Sequence, residues 1–193
     1  MRIVELSRET TETQISLRLN LDGRGTSEVD TGIGFLDHMV TALCRHARWD
    51  LTLKARGDLH VDDHHTVEDC ALLLGEAVDH ALGTREGICR FGTAFAPMDG
   101  SLARAVVDLS GRPAAVVDLG MTRECLGALA TENLTHFFVS FAMKIRGAIH
   151  LDLLRGDNDH HRAEAAFKAL ALALRVAIAT DGTDQIPSTK GVL

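Results

Sequence analysis

His64-His65-Thr66-Val67-Glu68 returns 96 residues further on as His160-His161-Arg162-Ala163-Glu164. The apolar positions that follow keep the same offset: Ala71 with Phe167, Leu74 with Leu170, Val78 with Leu174 and Leu82 with Ile178. Within each set the steps are three or four residues, the period of a helix that turns one face to a core. Two equivalent helices are therefore predicted, one beginning at each His-His pair, in a chain built from two copies of one unit.

Upstream of each helix, alternating or β-rich stretches occur in the same order. The first half offers strands near Arg2 to Arg8 and Gln14 to Leu21, a helix from about Phe35 to His46, and a strand from Asp50 to Ala55. The second offers strands near Ile88 to Ala96, Leu102 to Leu109 and Ala114 to Leu119, a helix from about Glu132 to Met143, and a strand from Ile145 to Leu153. Each half thus reads roughly as β-β-α-β-α, with Asp22-Gly23-Arg24-Gly25 and Ser110-Gly111-Arg112-Pro113 as hairpin turns. The expected divisions are 1–86, 87–180 and a tail at 181–193, where the helical pattern is lost. The fold class is α+β, duplicated, with the helices on one face of the sheets.

Composition narrows the function. With 193 residues, 46% hydrophobic and 24% charged, the chain has the balance of a globular protein. A net charge of −7 argues against a nucleic-acid partner and leaves room for a small anionic substrate held by a local group of bases. The first twenty residues carry Arg2, Glu5, Arg8, Glu9, Glu12 and Arg18 with no long apolar run, so neither a signal peptide nor a membrane partner is expected, and the location is read as cytoplasmic. Cys44, Cys70, Cys89 and Cys125 form no Cys-x-x-Cys pair and read as reduced core thiols. Histidine, with ten copies, is the unusual component.

Imidazole and carboxylate together suit a borderline divalent ion such as Mn2+, Fe2+, Co2+ or Zn2+. On a helix, His65 and Glu68 are three apart and His64 and Glu68 four apart, so either pair could share a face. Neighbours such as His64 and His65 diverge by about 100° and cannot serve the same ion from one helix. The same holds for His160 and His161, which implies two metal centres assembled from both halves or from neighbouring subunits. Each half has a third histidine on the preceding helix, His38 and His136, giving eight ligands for two ions. The order is neither His-Glu-x-x-His nor His-x-x-Glu-His, so a metalloprotease is not indicated. Two rivals remain: another two-metal enzyme such as a hydrolase, and a non-catalytic oligomer stapled by metals.

The chain resembles the imidazoleglycerol-phosphate dehydratase family in Gly32-Ile33-Gly34-Phe35-Leu36-Asp37-His38-Met39, Asp62-Asp63-His64-His65-Thr66-Val67-Glu68-Asp69, Asp108-Leu109-Ser110-Gly111-Arg112-Pro113, Asn158-Asp159-His160-His161-Arg162-Ala163-Glu164-Ala165 and Ser188-Thr189-Lys190-Gly191. The resemblance implies duplicated ββαβα half-domains (ribosomal protein S5 domain 2-like) in a homo-oligomer of 24 subunits. It also implies two Mn2+ per active site at positions shared between subunits, the same donors being compatible with other divalent metals. The reaction implied is loss of water from imidazole glycerol phosphate to give imidazole acetol phosphate, in histidine biosynthesis. Two ions on the two ring nitrogens would stabilise an imidazolate while hydroxide leaves.

By the same resemblance the metal ligands are His38, His64, His65, Glu68, His136, His160, His161 and Glu164. Glu12 is placed in the substrate site as acid and base, and Glu68 and Glu164 count with it as catalytic. Arg90, Arg112, Lys168, Ser188, Thr189 and Lys190 are the substrate-binding candidates, the cations gripping the phosphate as the tail closes over it. Gly100 stands where the family more often has an acidic residue. No phosphatase domain of the kind fused to this enzyme in some bacteria is present, so a monofunctional protein is expected.

Overall fold

In the computed structural model, which describes residues 2–193, two four-stranded sheets enclose four long helices. The first half contains β1 (Ile3–Glu9), β2 (Thr13–Asn20), β3 (Ser27–Asp30), α1 (Gly34–Ala47), β4 (Asp50–Gly57) and α2 (His64–Leu82). The second contains β5 (Phe91–Met98), β6 (Ser101–Asp108), β7 (Ala114–Asp118), a small β8–β9 hairpin (Cys125–Leu126 and Leu129–Ala130), α3 (Thr131–Ile145), β10 (Ala148–Arg155) and α4 (Asp159–Ala177). The strand orders, β1-β2-β4-β3 and β5-β6-β10-β7, are the same pattern twice. In each sheet the third strand in sequence pairs parallel with the fourth, and the other pairs are antiparallel.

The strands alternate buried and exposed residues, most clearly in β2 and β4, so each sheet lays one face on the helices and leaves the other open. The helices cross between halves: α2 packs on α3 and α1 on α4, forming layers of sheet, helix, helix and sheet. All eight positions of the repeated apolar stripe are buried, and Phe137, Phe138, Phe141 and Phe167 fill the space between helices. Both α1 and α3 end at an arginine in the left-handed conformation, Arg48 (φ 63°) and Arg146 (φ 53°), whose N–H returns to Cys44 O and Ala142 O.

Several details differ from the sequence reading. Strand β3 was not anticipated, because its Ser-Glu-Val-Asp offers a single apolar residue to an edge position. Ile145 closes α3 rather than opening the next strand, since the turn at Arg146-Gly147 follows it. Ile88 lies ahead of β5 and makes only an isolated bridge with Thr180. Of the four free thiols, Cys44 and Cys70 are buried, and burial pushes both up, Cys70 to about 12, whereas Cys89 and Cys125 are exposed and are not core residues.

Gly75 is a point of close approach between α2 and α3. A Cβ there would stand 2.7 Å from Phe141 O and 2.9 Å from Lys144 Cβ. Gly75→Ala would raise helix propensity by about 1 kcal/mol, yet overpacking by about 1–3 kcal/mol is expected to win. A calorimetric melt should therefore show a lower Tm, by a few degrees. A raised Tm would mean that the two helices do not meet at this point.

Candidate metal centres

The two His-His helices begin in the same way. Asp62 Oδ1 accepts from His64 N–H at 2.8 Å, and its equivalent Asn158 accepts from His160 N–H (3.0 Å) and His161 N–H (3.2 Å). These side chains satisfy amides that a helix start leaves free and thereby fix where the histidines emerge. Adjacent rings then diverge as helical geometry requires: His64 and His65 are 5.9 Å apart at 79°, and His160 and His161 are 6.1 Å apart at 88°.

The first histidine of each pair turns toward the opposite half. His38 on α1 meets His160 and Glu164 on α4, and His136 on α3 meets His64 and Glu68 on α2. In each trio one donor atom per residue lies within 4.8 Å of the others, close enough to share one ion. Of the spacings open in the sequence, the structure selects the four-residue one, His64 with Glu68 and His160 with Glu164.

In the first trio, His38 Nε2 and His160 Nε2 each stand 3.5 Å from Glu164 Oε2, and Lys168 Nζ lies 2.7 Å from Glu164 Oε1. Burial pushes the Glu164 carboxyl up, but the Lys168 bond and charge, with His38, outweigh it and hold the pKa below the usual range. The carboxylate is thus ionised and ready for a cation. In the second trio, His136 Nε2 is 3.0 Å from Glu68 Oε1, and the His64 and His136 rings stack at 4.6 Å. Buried Asn133, one turn from His136 on α3, accepts at Oδ1 from His64 Nδ1 at 3.0 Å, which leaves Nε2 with its lone pair.

His65 and His161 belong to neither trio. His65 Nδ1 is 3.0 Å from Asp58 Oδ2 and its Nε2 3.7 Å from Glu12 Oε1, while His161 Nε2 is 3.6 Å from Asp99 Oδ2. Glu12 and Asp99 sit in corresponding hairpin turns, between β1 and β2 and between β5 and β6. The bond to Asp58 raises the His65 pKa, with Glu12 adding to it against partial desolvation. Asn133, Asp58 and Asp99 were missed in the sequence; for Asp99 the signal available was the equivalence of the two hairpin turns. At Gly100, in the second turn, an added Cβ would meet open space.

The basic candidates fall into two places. Lys168 sits with Glu164 and donates to Met98 Sδ at 3.2 Å. Arg90 is at the other end of α4: its backbone N–H bonds Ala177 O, its guanidinium grips Asp108 at 2.6 and 3.1 Å, and its Nη1 donates to Pro187 O at 2.8 Å. The tail therefore runs beside Arg90, with Ser188 half-buried, Thr189 and Lys190 exposed, and Leu193 against Gly111, next to exposed Arg112. From Glu164 to Ala177 the helix rises about 20 Å at 1.5 Å per residue, so Arg90 and the tail lie far from Glu164 within one chain. A cavity of about 480 Å3 on the open face of the first sheet, lined by residues including Glu5, Ser7, Ser16 and Arg18, contains none of these groups.

A sequence profile described as imidazoleglycerol-phosphate dehydratase matches residues 31–174. The chain is 57% identical over its whole length to imidazoleglycerol-phosphate dehydratase of Phytophthora nicotianae, but spans only 43% of that protein. It is 53% identical to the Candida glabrata protein of the same name, covering 97% of this chain and 98% of that one. The crystal structure of imidazoleglycerol-phosphate dehydratase from Staphylococcus aureus subsp. aureus N315 superposes with a TM-score of 0.84 at 35% identity, over 92% of this chain and 99% of that chain. IGPD from Pyrococcus furiosus in complex with (S)-C348 gives 0.84 at 38%, over 97% and 100%.

Asp58→Asn should lower the His65 midpoint toward the ordinary value in an NMR titration of the metal-free protein. Because the folded-state value is raised, the pair adds stability below the unfolded-state value, about 6.5, and that stability fades as pH rises through the raised folded-state value. An unchanged midpoint in the variant would remove Asp58 as the cause.

Proposed function

The chain belongs to the imidazoleglycerol-phosphate dehydratase family, and from that premise we propose that it is a carbon-oxygen lyase converting imidazole glycerol phosphate to imidazole acetol phosphate and water in histidine biosynthesis. The observation that carries this reading is the pair of trios, His38-His160-Glu164 and His64-Glu68-His136, each with donor atoms within 4.8 Å. Two imidazoles and one carboxylate fit a borderline divalent ion with positions left for substrate. Two Mn2+ ions per active site are proposed, with His65 and His161 as further ligands.

Those two histidines point away from their own chain's trios, which supports their use by a neighbouring subunit. The rise along α4 supports the same conclusion, because Arg90, Arg112, Ser188, Thr189 and Lys190 are too far from Glu164 to hold the phosphate of a substrate at that trio. A homo-oligomer of 24 subunits with shared sites is the assembly proposed. Among the described residues no helix is long and apolar enough to cross a membrane. A cytoplasmic location belongs to the same proposal.

When bound, the ions supply the positive charge that lets the imidazole ring accept electrons. The hydroxyl leaves from the carbon next to the ring as the ring's electrons break that carbon–oxygen bond, and Glu12, held beside His65, takes the proton from the following carbon, whose electron pair returns through the ring. Hydroxide departs as water once protonated, and the resulting enol becomes the ketone. Arg90, Arg112 and Lys190, with Ser188 and Thr189, hold the phosphate so that the reacting carbon stays at Glu12. Lys168, paired with Glu164, keeps that carboxylate ionised for the metal. The divisions 1–86, 87–180 and 181–193 follow this scheme: each half supplies ligands to both centres, and the tail closes on the phosphate.

Chelator-stripped protein should be inactive toward imidazole glycerol phosphate and regain turnover with Mn2+. Glu12→Gln should lower kcat by about 10²–10⁴ without preventing Mn2+ binding. No turnover in an assembled, metal-replete sample would reject the lyase assignment. Co-assembly of Glu12→Gln chains with Arg112→Ala chains should restore part of the activity, and complete inactivity of the mixture would place both residues on one chain's contribution to the site.

A further inference from the structure

The halves match element for element except at one place. In the first, β3 passes into α1 through residues 31–33, whereas in the second β7 is separated from α3 by residues 119–130, which carry the β8–β9 hairpin. This added segment is bonded at both ends to the residue just before the first histidine of each pair. At one end the Asp159 carboxylate, 2% exposed, accepts from Thr122 N–H (2.8 Å), Thr122 Oγ1–H (2.9 Å) and Arg123 N–H (2.6 Å). Arg162 bonds the same carboxylate at 2.9 Å and also reaches Gly120 O. At the other end Ala130 N–H donates to Asp63 Oδ2 at 2.8 Å.

Asp63 and Asp159 are equivalent positions of the repeat. Neither accepts a helix-start amide of its own helix through its side chain, a task done by Asp62 and Asn158. Their carboxylates are directed instead to a segment that only one half possesses. Between its ends that segment is firmly seated: Leu126 and Leu129 are buried, and Thr131 Oγ1 bonds Arg123 O at 2.6 Å across the hairpin base. Gly127 at the tip comes against Phe35, whose ring stands edge-on to His160 at 5.1 Å.

We propose that residues 119–130 are a strut between the two metal centres, and that Asp63 and Asp159 are positioning residues that hold His64 and His160 in register with their partners on α3 and α1. The inference rests on the two-ion reading. Each aspartate is one residue from a proposed ligand, so freeing it lets the first turn of its helix fray and enlarges the set of positions its histidine samples. The ion must then bear the cost of ordering that turn, and affinity falls.

Mn2+ titration of the assembled protein, followed by the EPR signal of free Mn2+, tests this. In a His136→Ala background, which leaves the His38-His160-Glu164 centre, Asp159→Ala should weaken Mn2+ binding about 10–100-fold and Asp63→Ala should not. In a His38→Ala background the two effects should exchange. A merely structural role would lower the Tm of the metal-free protein and leave the affinities alike. Should a variant fail to fold, hydrogen exchange on the unsubstituted protein decides: Mn2+ should slow exchange at the amides of Thr122, Arg123 and Ala130. Two tight sites per chain with unchanged affinities in the variants, or with exchange at those amides indifferent to Mn2+ where the variants do not fold, would overturn the strut. Fewer than two sites in the unsubstituted protein would overturn the two-ion reading instead.

Discussion

Consecutive residues on a helix point about 100° apart, and the architecture of this chain follows from placing two histidines under that constraint. One ring of each pair turns inward to the other half and the other turns outward to a hairpin carboxylate. The inward ring can find partners only if α1 lies on α4 and α2 on α3, so the helices must cross between halves. Gly75 allows the close approach on one side, and the αL arginines end α1 and α3 so that β4 and β10 return beneath them. The sheets then have one task, to cover the outer side of each helix pair.

The duplication, the two metal-helix starts and the apolar stripes were legible in the amino-acid sequence because they rest on local period. Strand β3 was not, since Ser27–Asp30 is defined by its parallel pairing with β4 rather than by its own pattern. Nor could the exchange of partners be read: His38 is nearer to His64 than to His160 along the chain, and only the packing of α1 on α4 joins it to the latter. Asn133 was overlooked as one more polar residue of α3, although it lies one turn from His136 on the same face. Cys89 and Cys125 read as core thiols for want of a Cys-x-x-Cys pair, but each adjoins a charged residue, Arg90 and Glu124, and one lies in a loop and the other on a two-residue edge strand.

Charge is distributed along α4 in a way the net value of −7 conceals. Its first turns carry His160, Glu164 and Lys168, and its last turn meets Arg90, which is balanced by Asp108 and lies over the Phe91 ring at 4.6 Å. The candidate metal donors and the candidate phosphate-binding cation Arg90 thus stand at opposite ends of one helix.

The exchange of partners has a further meaning. His38 meets His160 and Glu164, and their equivalents His136, His64 and Glu68 meet in the same way. This is the reciprocity of an isologous dimer interface, in which surface i meets j and j meets i about a twofold axis. Two separate copies of one half, docked by that axis, would already form both trios. Tandem fusion converts that bimolecular encounter into an intramolecular one and frees each half to diverge, which is why an asymmetric feature such as residues 119–130 can exist: in a true homodimer it would have to appear twice.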